Sequence, residues 1–218
     1  MTLHQEIQQL LSGFSVPEAA ANTLAAELEQ IERERLSLGL NVGERAPDFE
    51  LPDSRGRLVR LSERLRRGPV VVSFFRGAWC PVCSLHIAAL VRALPAIRAA
   101  GGSLLAIYSD SAPLIDDDSP PGLETLRDAD QEAIRAYRVQ LQIPPAVQQV
   151  YVGVFDTDVS LRNSDGSWNL PAPGTFILDQ QGIVRRQHVS ADFTQRMEPA
   201  DVVEALEEIR NWPAPSTD

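Results

Sequence analysis

The chain has 218 residues, 44% hydrophobic and 23% charged, which is typical of one globular domain rather than of a disordered chain. The net charge of −10 and the pI near 4.8 exclude the basic surface that nucleic-acid binding requires. The amino terminus lacks a basic segment followed by an apolar one, and the apolar runs are shorter than the roughly 20 residues that span a bilayer. We therefore expect a cytoplasmic protein without membrane or nucleic-acid partners, in a compartment where structural disulfides are rare.

Two amino-terminal helices are predicted over residues 2–11 and 17–38, because apolar residues recur there at helical spacing. Gly39 is placed to end the second helix. The apolar stripe of these helices would pack on the main domain or form a dimer surface, and packing on the domain is the favoured interpretation. We accordingly divide the chain into a helical extension, residues 1–39, and a main domain, residues 40–213.

The main domain opens with a predicted hairpin in residues 43–63, where two apolar segments flank a turn. The β-branched and aromatic run Val70–Phe75 predicts a strand buried on both faces. A helix is expected from Pro81 to about Ala100, because a double glycine ends its apolar stripe, and residues 104–108 predict a second buried strand. Together these elements form a βαβ unit with parallel strands.

The second half of the chain is less regular. Residues 109–122 form a polar loop with three consecutive aspartates, which we interpret as an exposed acidic loop rather than a cation site. A helix is predicted over 130–137, whereas residues 140–170 contain turn signals without a clear pattern between them. The remaining predictions are a hairpin of strands Thr175–Leu178 and Ile183–Val189, and a closing helix over 199–212. This order of elements indicates an α/β fold with a mixed sheet.

The two cysteines of the chain, Cys80 and Cys83, lie in the stretch FFRGAWCPVC at the predicted strand–helix junction. Pro81 suits the first helical position, so the unpaired N–H groups and the positive end of the helix dipole are expected to point at the Cys80 sulfur. With Arg76 nearby, this environment favours a thiolate. Cys80 is therefore the expected nucleophile and Cys83 the resolving cysteine. A C-x-x-C at this place in a βαβ unit indicates a thioredoxin-like dithiol.

Other interpretations of the cysteines are weaker. A structural zinc site needs about four ligands, and the chain offers only three histidines, His4, His86 and His188, without a second C-x-x-C. Two inert cysteines are a further alternative. His86 could tune the reactivity of the cysteines, but a partly exposed histidine on the helix is the favoured interpretation. Trp79 would either shield the site or cover the edge of the core. We expect no metal and no other cofactor.

The stretch FFRGAWCPVCSLHIAAL resembles the FYRG-x-WCP-x-C signature of bacterial peroxiredoxin-like proteins in the alkyl hydroperoxide reductase C / thiol-specific antioxidant family. Three further segments, VGERAPDFELPDSRGRLVRLSE, LRDADQEAIRAYRV and SWNLPAPGTFILDQQGIVRRQHV, are similar to other parts of that family, so the resemblance covers about residues 40–210. It implies a thioredoxin-like α/β fold, with a central mixed sheet and flanking helices, that carries the amino-terminal helical extension.

The same resemblance implies roles for individual residues. Cys80 corresponds to the peroxidatic cysteine, which attacks a hydroperoxide and becomes a sulfenic acid, and Cys83 to the cysteine that closes the disulfide. Pro173 falls where thioredoxin-fold proteins place a cis-proline beside the dithiol. With Trp79 and Thr175, it is a candidate substrate-binding residue. A thiol such as thioredoxin or glutathione would reduce the disulfide, and a homodimer is an open alternative because typical family members pair.

The chain also departs from the family pattern. Typical members carry P-x-x-x-T/S-x-x-C, and here Ser73 and Gly77 occupy the proline and hydroxyl positions. Pro173 replaces the arginine that typically precedes the later strand, so Arg76 is the obvious substitute for stabilising the leaving oxygen. Three hypotheses remain: a thiol peroxidase, which is favoured, a thioredoxin-like protein disulfide oxidoreductase, and a non-enzymatic redox sensor.

Overall fold

The computed structural model of the chain describes residues 1–33, 38–112 and 122–211. The helices are α1 (Leu3–Ser12), α2 (Glu18–Arg33), α3 (Leu61–Leu65), α4 (Pro81–Ala99), α5 (Glu132–Ala136), α6 (Pro145–Gly153) and α7 (Pro199–Arg210). The strands are β1 (Glu50–Pro52), β2 (Leu58–Arg60), β3 (Val70–Phe75), β4 (Ser103–Tyr108), β5 (Leu123–Arg127), β6 (Gln140–Gln142), β7 (Asn169–Pro171), β8 (Gly174–Leu178) and β9 (Val184–Val189). A 3-10 turn covers Val159–Leu161.

A five-stranded mixed sheet forms the centre of the fold, in the order β5-β4-β3-β8-β9. Strand β3 runs parallel to β4 and antiparallel to β8, which pairs with β9 in the predicted hairpin. Every residue of β3 is buried, as its continuous apolar run predicts. The βαβ unit of β3, α4 and β4, its parallel strands and the mixed α/β sheet are therefore confirmed.

Two hydrophobic cores lie on opposite faces of this sheet, because successive side chains of a strand point to opposite sides. Val71 and Phe75 pack into the core beneath α1, α4 and α7. Val72 and Phe74 pack into the core beneath the β1–β2 hairpin, α3 and α5. Both cysteines lie in the first core, so the fold positions them on the α4 face of the sheet.

Helix α1 packs against α4 rather than standing free, since its Leu3 and Ile7 side chains are buried in the α4-side core. The Glu198 carboxylate accepts hydrogen bonds from the Leu3 and His4 amides, at 2.9 Å and 2.8 Å, and its charge suits a helix amino terminus. The predicted packing of the first helix on its own domain is confirmed. The division of the chain into a helical extension and a main domain at residue 39 stays a prediction. The last residues of the predicted second helix, 34–38, lie mostly outside the described residues.

The second half differs most from the sequence predictions. Strand β5, which pairs with β4 in parallel, was not predicted, and α5 is shorter than the expected helix over 130–137. The unassigned segment 140–170 contains β6, α6, the 3-10 turn and most of β7, and β6 pairs antiparallel with β7. The three aspartates of the acidic loop lie in 113–121, outside the described residues. The predicted end of the closing helix, residue 212, also lies outside them.

Helix α4 is long and apolar enough, by length and composition, to cross a membrane. The core helix of a soluble protein meets the same criterion, and eight side chains of α4 are buried within this fold. The helix is therefore weak evidence for a membrane segment.

Candidate active site

Cys80 occupies the N-cap of α4, directly after the turn that leaves β3. Pro81 takes the first helical position, as predicted. The Cys80 N–H donates to the Gly77 carbonyl at 3.2 Å, and its carbonyl accepts from the Ser84 N–H at 3.0 Å. However, the Cys80 side chain accepts no capping hydrogen bond from the first turn, so the expected amide contacts to its sulfur do not form.

The two thiols are buried side by side, with Cys80 2% exposed and Cys83 fully buried. The hydrogen bond between the two thiols, together with burial, raises the pKa of Cys80 well above its ordinary value. Burial alone would raise the pKa of Cys83, but the same hydrogen bond and the charges of Arg196 and Arg76 lower it well below its ordinary value. The two arginines thus stabilise a negative charge on the hydrogen-bonded pair of sulfurs, and this charge is not confined to Cys80 as the sequence led us to expect. Which cysteine attacks first stays a prediction.

Arg76 is buried beside the dithiol, with only 4% of its surface exposed. Its guanidinium donates a hydrogen bond to the Tyr151 hydroxyl and lies against three aromatic rings, 4.4 Å from Phe193, 4.9 Å from Trp79 and 5.2 Å from Tyr151. Burial alone would lower the pKa of Arg76, but Tyr151 and both cysteines raise it. The aromatic rings therefore hold a cation that stays charged close to both sulfurs.

Arg196 is a second cation at the dithiol that the sequence did not reveal. Its NH2 lies 3.5 Å from the Cys83 sulfur, and the same guanidinium donates to the Phe193 carbonyl at 2.7 Å and 3.0 Å. Arg196 lies between β9 and α7, more than a hundred residues from Cys83, in a segment without periodicity. Phe193 lies in the same segment and was missed for the same reason. Tyr151 lies in α6, within the segment 140–170 that the sequence left unassigned.

His86 is buried, so the favoured prediction of a partly exposed helix histidine is wrong. It is 2% exposed, its ring lies 5.2 Å from that of Phe75, and neither ring nitrogen has a hydrogen-bond partner within the described part of the chain. Burial, and then the charges of Arg196 and His188, lower the pKa of His86 well below its ordinary value. A neutral imidazole therefore lies behind the cysteines.

The turn before Cys80 depends on glycine. Gly77 has φ +144°, and a Cβ built there would lie 2.5 Å from Trp79 Nε1 and 2.6 Å from Asp110 Oδ2. Both polar atoms are buried without a hydrogen-bond partner among the described residues. Trp79 also packs edge-on against Tyr151, with ring centroids 6.0 Å apart, so it covers the Arg76 guanidinium. Its shielding of the dithiol stays a prediction.

The sequence of this chain is similar to that of known proteins. The AhpC/TSA family model matches residues 42–187, more than half of the chain. The chain belongs to the AhpC/TSA family. Alkyl hydroperoxide reductase E from Mycobacterium bovis is 28% identical over 163 residues, which cover 75% of this chain and 90% of that protein. Methylamine utilization protein MauD from Paracoccus denitrificans is 36% identical over 75 residues, which cover 34% of this chain and only about a third, 36%, of MauD.

Among solved structures, peroxidoxin BcpB from Mycobacterium tuberculosis shares the fold, with a TM-score of 0.56 at 21% identity over 80% of this chain and 99% of that one. This likeness shows that the chain has the same fold as that solved structure. The fold and family that the sequence motifs implied are confirmed.

Two residues predicted from the family resemblance lie away from the open surface. The peptide bond before Pro173 is trans, so the expected cis-proline is wrong, and the Pro173 carbonyl accepts from the Ser190 N–H at 3.2 Å. Thr175 is buried within the sheet, where its hydroxyl pairs with that of Ser73 at 2.9 Å. This cross-strand contact between β3 and β8 uses the hydroxyl inside the core, so substrate binding by Thr175 or Pro173 stays a prediction.

An open groove of about 650 Å³ lies between α2 and the segment from β6 to α6. Tyr151 and Phe193, the rings that flank Arg76, line one part of it. Within the described ranges, no group of three or more His, Cys, Asp or Glu side chains lies close enough together to hold a metal ion. The chemistry available at this site is therefore that of two thiols beside two guanidinium groups.

Proposed function

We propose that this protein is a thiol-dependent peroxidase that reduces hydrogen peroxide or organic hydroperoxides through Cys80 and Cys83. The observation that carries the proposal is the hydrogen-bonded pair of thiols beside Arg76 and Arg196 in a chain of the AhpC/TSA family. Cationic donors beside a cysteine favour the thiolate, which is the form that attacks an electrophilic oxygen. The relatives whose names describe peroxide reduction support the same reaction class.

In the proposed first step, Cys80 passes its proton to the Cys83 thiolate and attacks one oxygen of the hydroperoxide. A sulfur–oxygen bond forms, the oxygen–oxygen bond breaks, and the alkoxide or hydroxide leaves and takes a proton from solvent. Arg76 is the cation placed to stabilise the negative charge on the leaving oxygen, and such a donor contributes on the order of 100-fold in rate. Cys80 is left as a sulfenic acid.

In the second step, Cys83 attacks the sulfenic sulfur of Cys80. The sulfur–sulfur bond forms, and the sulfenic hydroxyl leaves as water with the Cys83 proton. An external thiol, such as thioredoxin or glutathione, then reduces the disulfide and completes the cycle. We place this cycle in the cytoplasm and leave a homodimer as the proposed alternative to a monomer.

The decisive experiment mixes reduced protein with hydrogen peroxide or with an organic hydroperoxide and follows disulfide formation by stopped flow. We expect a rate constant well above that of free cysteine. A rate constant no larger than that of free cysteine would rule out the peroxidase.

The Cys83→Ser variant tests the order of the two cysteines, since it leaves the sulfenic acid without a resolving thiol. We expect peroxide treatment to give a dimedone adduct on Cys80, identified by mass spectrometry. The Cys80→Ser variant is the matched control and should give none. An adduct on Cys83 in that control, with none on Cys80 in the first variant, would reverse the assigned roles.

Protein disulfide oxidoreduction is the second candidate, favoured by the C-x-x-C at the start of α4 and by the lowered pKa of Cys83. This function requires the reduced protein to cleave insulin disulfides in a turbidity assay. If the protein reacts slowly with peroxide and does not cleave insulin, both enzymatic hypotheses are excluded. The remaining hypothesis is then a redox sensor, whose dithiol oxidises slowly to change an interaction.

A further inference from the structure

Arg196 contacts the Cys83 sulfur, and no carboxylate within the described part of the chain pairs with its charge. Its NH2 lies 3.5 Å from Cys83 Sγ, its other hydrogen bonds go to the neutral Phe193 carbonyl, and its NH1 is buried without a partner in the described residues. Within those residues no carboxylate forms an ion pair with Arg196 or with Arg76, the second guanidinium near the sulfurs. The described groups available to balance these charges are therefore the two thiols.

This charge arrangement distinguishes the reduced state of the dithiol from the oxidised one. With Cys83 as a thiolate, one negative charge faces two guanidinium groups. In a Cys80–Cys83 disulfide that negative charge is gone, and two partly or fully buried cations remain together without a counter-ion, which is unfavourable. The site therefore stabilises the reduced form, and a dithiol whose reduced form is stabilised has a disulfide that is easily reduced.

We propose that Arg196 is a positioning residue that stabilises the Cys83 sulfur as the leaving group when a monothiol of the glutathione class reduces the Cys80–Cys83 disulfide. The monothiol attacks Cys80, which is 2% exposed, whereas Cys83 is fully buried. The sulfur–sulfur bond breaks, Cys83 leaves as a thiolate beside Arg196, and a mixed disulfide forms on Cys80. A second monothiol then attacks the mixed disulfide, so two thiols are oxidised to one disulfide while both cysteines are reduced. This inference rests on the disulfide of the proposed function.

Several ionisable groups surround Cys83 and enter its titration. Those that act on its sulfur are Cys80 at the start of α4, Arg76 before it, Tyr151 on α6 and Arg196 between β9 and α7. Two imidazoles, His86 on α4 and His188 on β9, lie near Arg196, whose charge lowers their pKa values in addition to burial. None of these neighbours is an anion that would cancel the effect of Arg196 on the thiolate.

The test equilibrates the full-length protein in buffers of reduced and oxidised glutathione and measures the disulfide fraction by thiol alkylation and mass spectrometry. The variants are Arg196→Gln, which removes the charge, and Arg196→Lys, which keeps it. Arg60→Gln is the matched control, because Arg60 pairs with Glu50 on the exposed β1–β2 hairpin. Circular dichroism of each variant checks that it is folded.

We expect Arg196→Gln to shift the equilibrium toward the disulfide at least tenfold, which corresponds to about 30 mV for a two-electron couple. Arg196→Lys should keep most of the wild-type value, and Arg60→Gln should match it. A shift of less than twofold in Arg196→Gln, or equal shifts in the Gln and Lys variants, would overturn the inference.

The pH dependence of the wild-type protein gives a second test that needs no variant. Above the pKa of Cys83, one proton rather than two accompanies reduction, so the slope of the reduction potential against pH halves. We expect this change of slope at a pH below the ordinary cysteine pKa of about 8.5. A full slope maintained to pH 8.5 would contradict the role of Arg196. Because neither test uses peroxide, failure of the peroxidase assay leaves both readouts interpretable.

Discussion

The two sulfurs of the C-x-x-C have different surroundings although they are three residues apart. The sequence placed the thiolate on Cys80, because it begins a helix. In the structure the Cys80 thiol hydrogen-bonds to Cys83, and the cations that lower the pKa of Cys83 come from outside the helix. Charges from Arg196 and Arg76 therefore act on the dithiol in addition to the local helix end, and the motif alone could not have predicted the contact of Arg196.

Arg76 is the residue on which the rate of the peroxide step should depend most. We expect Arg76→Gln to lower the second-order rate constant with hydrogen peroxide by roughly 100-fold, because the leaving oxygen loses a preorganised cationic donor. Stopped-flow kinetics under single-turnover conditions measure this directly. Arg60→Gln, which removes an exposed charge on β2, should react at the wild-type rate. A folded Arg76→Gln protein within threefold of wild type would show that another group stabilises the leaving oxygen.

His86 should make the fold sensitive to acid. Its pKa is lowered in the folded protein, mainly by burial, whereas the unfolded chain binds a proton near pH 6.5. The contribution of neutral His86 to the free energy of unfolding is therefore fully present above pH 6.5. As the pH falls below 6.5, the unfolded chain takes up a proton that the folded protein does not, and the free energy of unfolding decreases by up to about 1.4 kcal/mol per pH unit. We expect His86→Phe, which keeps a ring against Phe75, to lose less free energy of unfolding between pH 7.5 and 5.5 than wild type.

Urea unfolding at the two pH values measures this difference. His4→Gln is the control, because His4 is exposed, and its stability should follow the wild-type pH dependence. The partly buried His188, whose pKa burial also lowers, is present in both proteins and contributes in the same direction in each. Parallel losses in wild type and His86→Phe would refute the prediction.

At the scale of secondary structure, the sequence predicts best where one pattern fills a whole element. Strand β3 was predicted because its apolar run is continuous. Helix α4 was predicted because apolar residues recur at helical spacing until a double glycine ends the pattern. Strand β5 was missed because its sequence, LETLR, is short and mixes charged with apolar residues. The segment from β6 to β7 was unassigned because its two strands have three residues each and pair only with one another.

Helix α1 carries a testable consequence of its packing on α4. Ile7 is almost fully buried between the two helices, so Ile7→Ala should lower the free energy of unfolding by about 2–5 kcal/mol through lost contacts and a cavity. Leu161→Ala is the control, since Leu161 is 80% exposed and its truncation should cost less than about 0.5 kcal/mol. Equal stability of Ile7→Ala and wild type in urea unfolding would mean that α1 is not part of the core.

At the scale of the whole molecule, the candidate site is assembled from three distant parts of the chain. Arg76 follows β3, Tyr151 belongs to α6, and Arg196 precedes α7. Sequence motifs identified the cysteines and Arg76, because these are neighbours in one short stretch. The other two residues meet them only after the sheet and its flanking helices have formed, so no local pattern could reveal them.

The net charge of −10 should affect the reductant more than the oxidant. Glutathione is an anion and is repelled by an acidic protein, whereas hydrogen peroxide is neutral. Added salt screens this repulsion, since the Debye length falls from about 30 Å at 0.01 M to about 10 Å at 0.1 M. We expect disulfide reduction by glutathione to accelerate with ionic strength and oxidation by hydrogen peroxide to stay constant.

Stopped-flow rates over 0.01–0.3 M sodium chloride test this expectation. Cysteamine, a cationic monothiol, is the matched control and should slow with added salt. A glutathione rate that falls with salt would mean that the guanidinium groups near the sulfurs, rather than the net charge, govern the approach of the thiol.

The lack of space beside Gly77 restricts which residues this position accepts. Typical family members carry a threonine or serine at this position, but here any side chain would collide with the Trp79 indole and the Asp110 carboxylate. A single Gly77→Thr substitution would therefore displace the turn before Cys80 instead of restoring the usual hydroxyl. The Trp79 indole, the Asp110 carboxylate and the glycine thus depend on one another, because a side chain at position 77 fits only if both neighbours move.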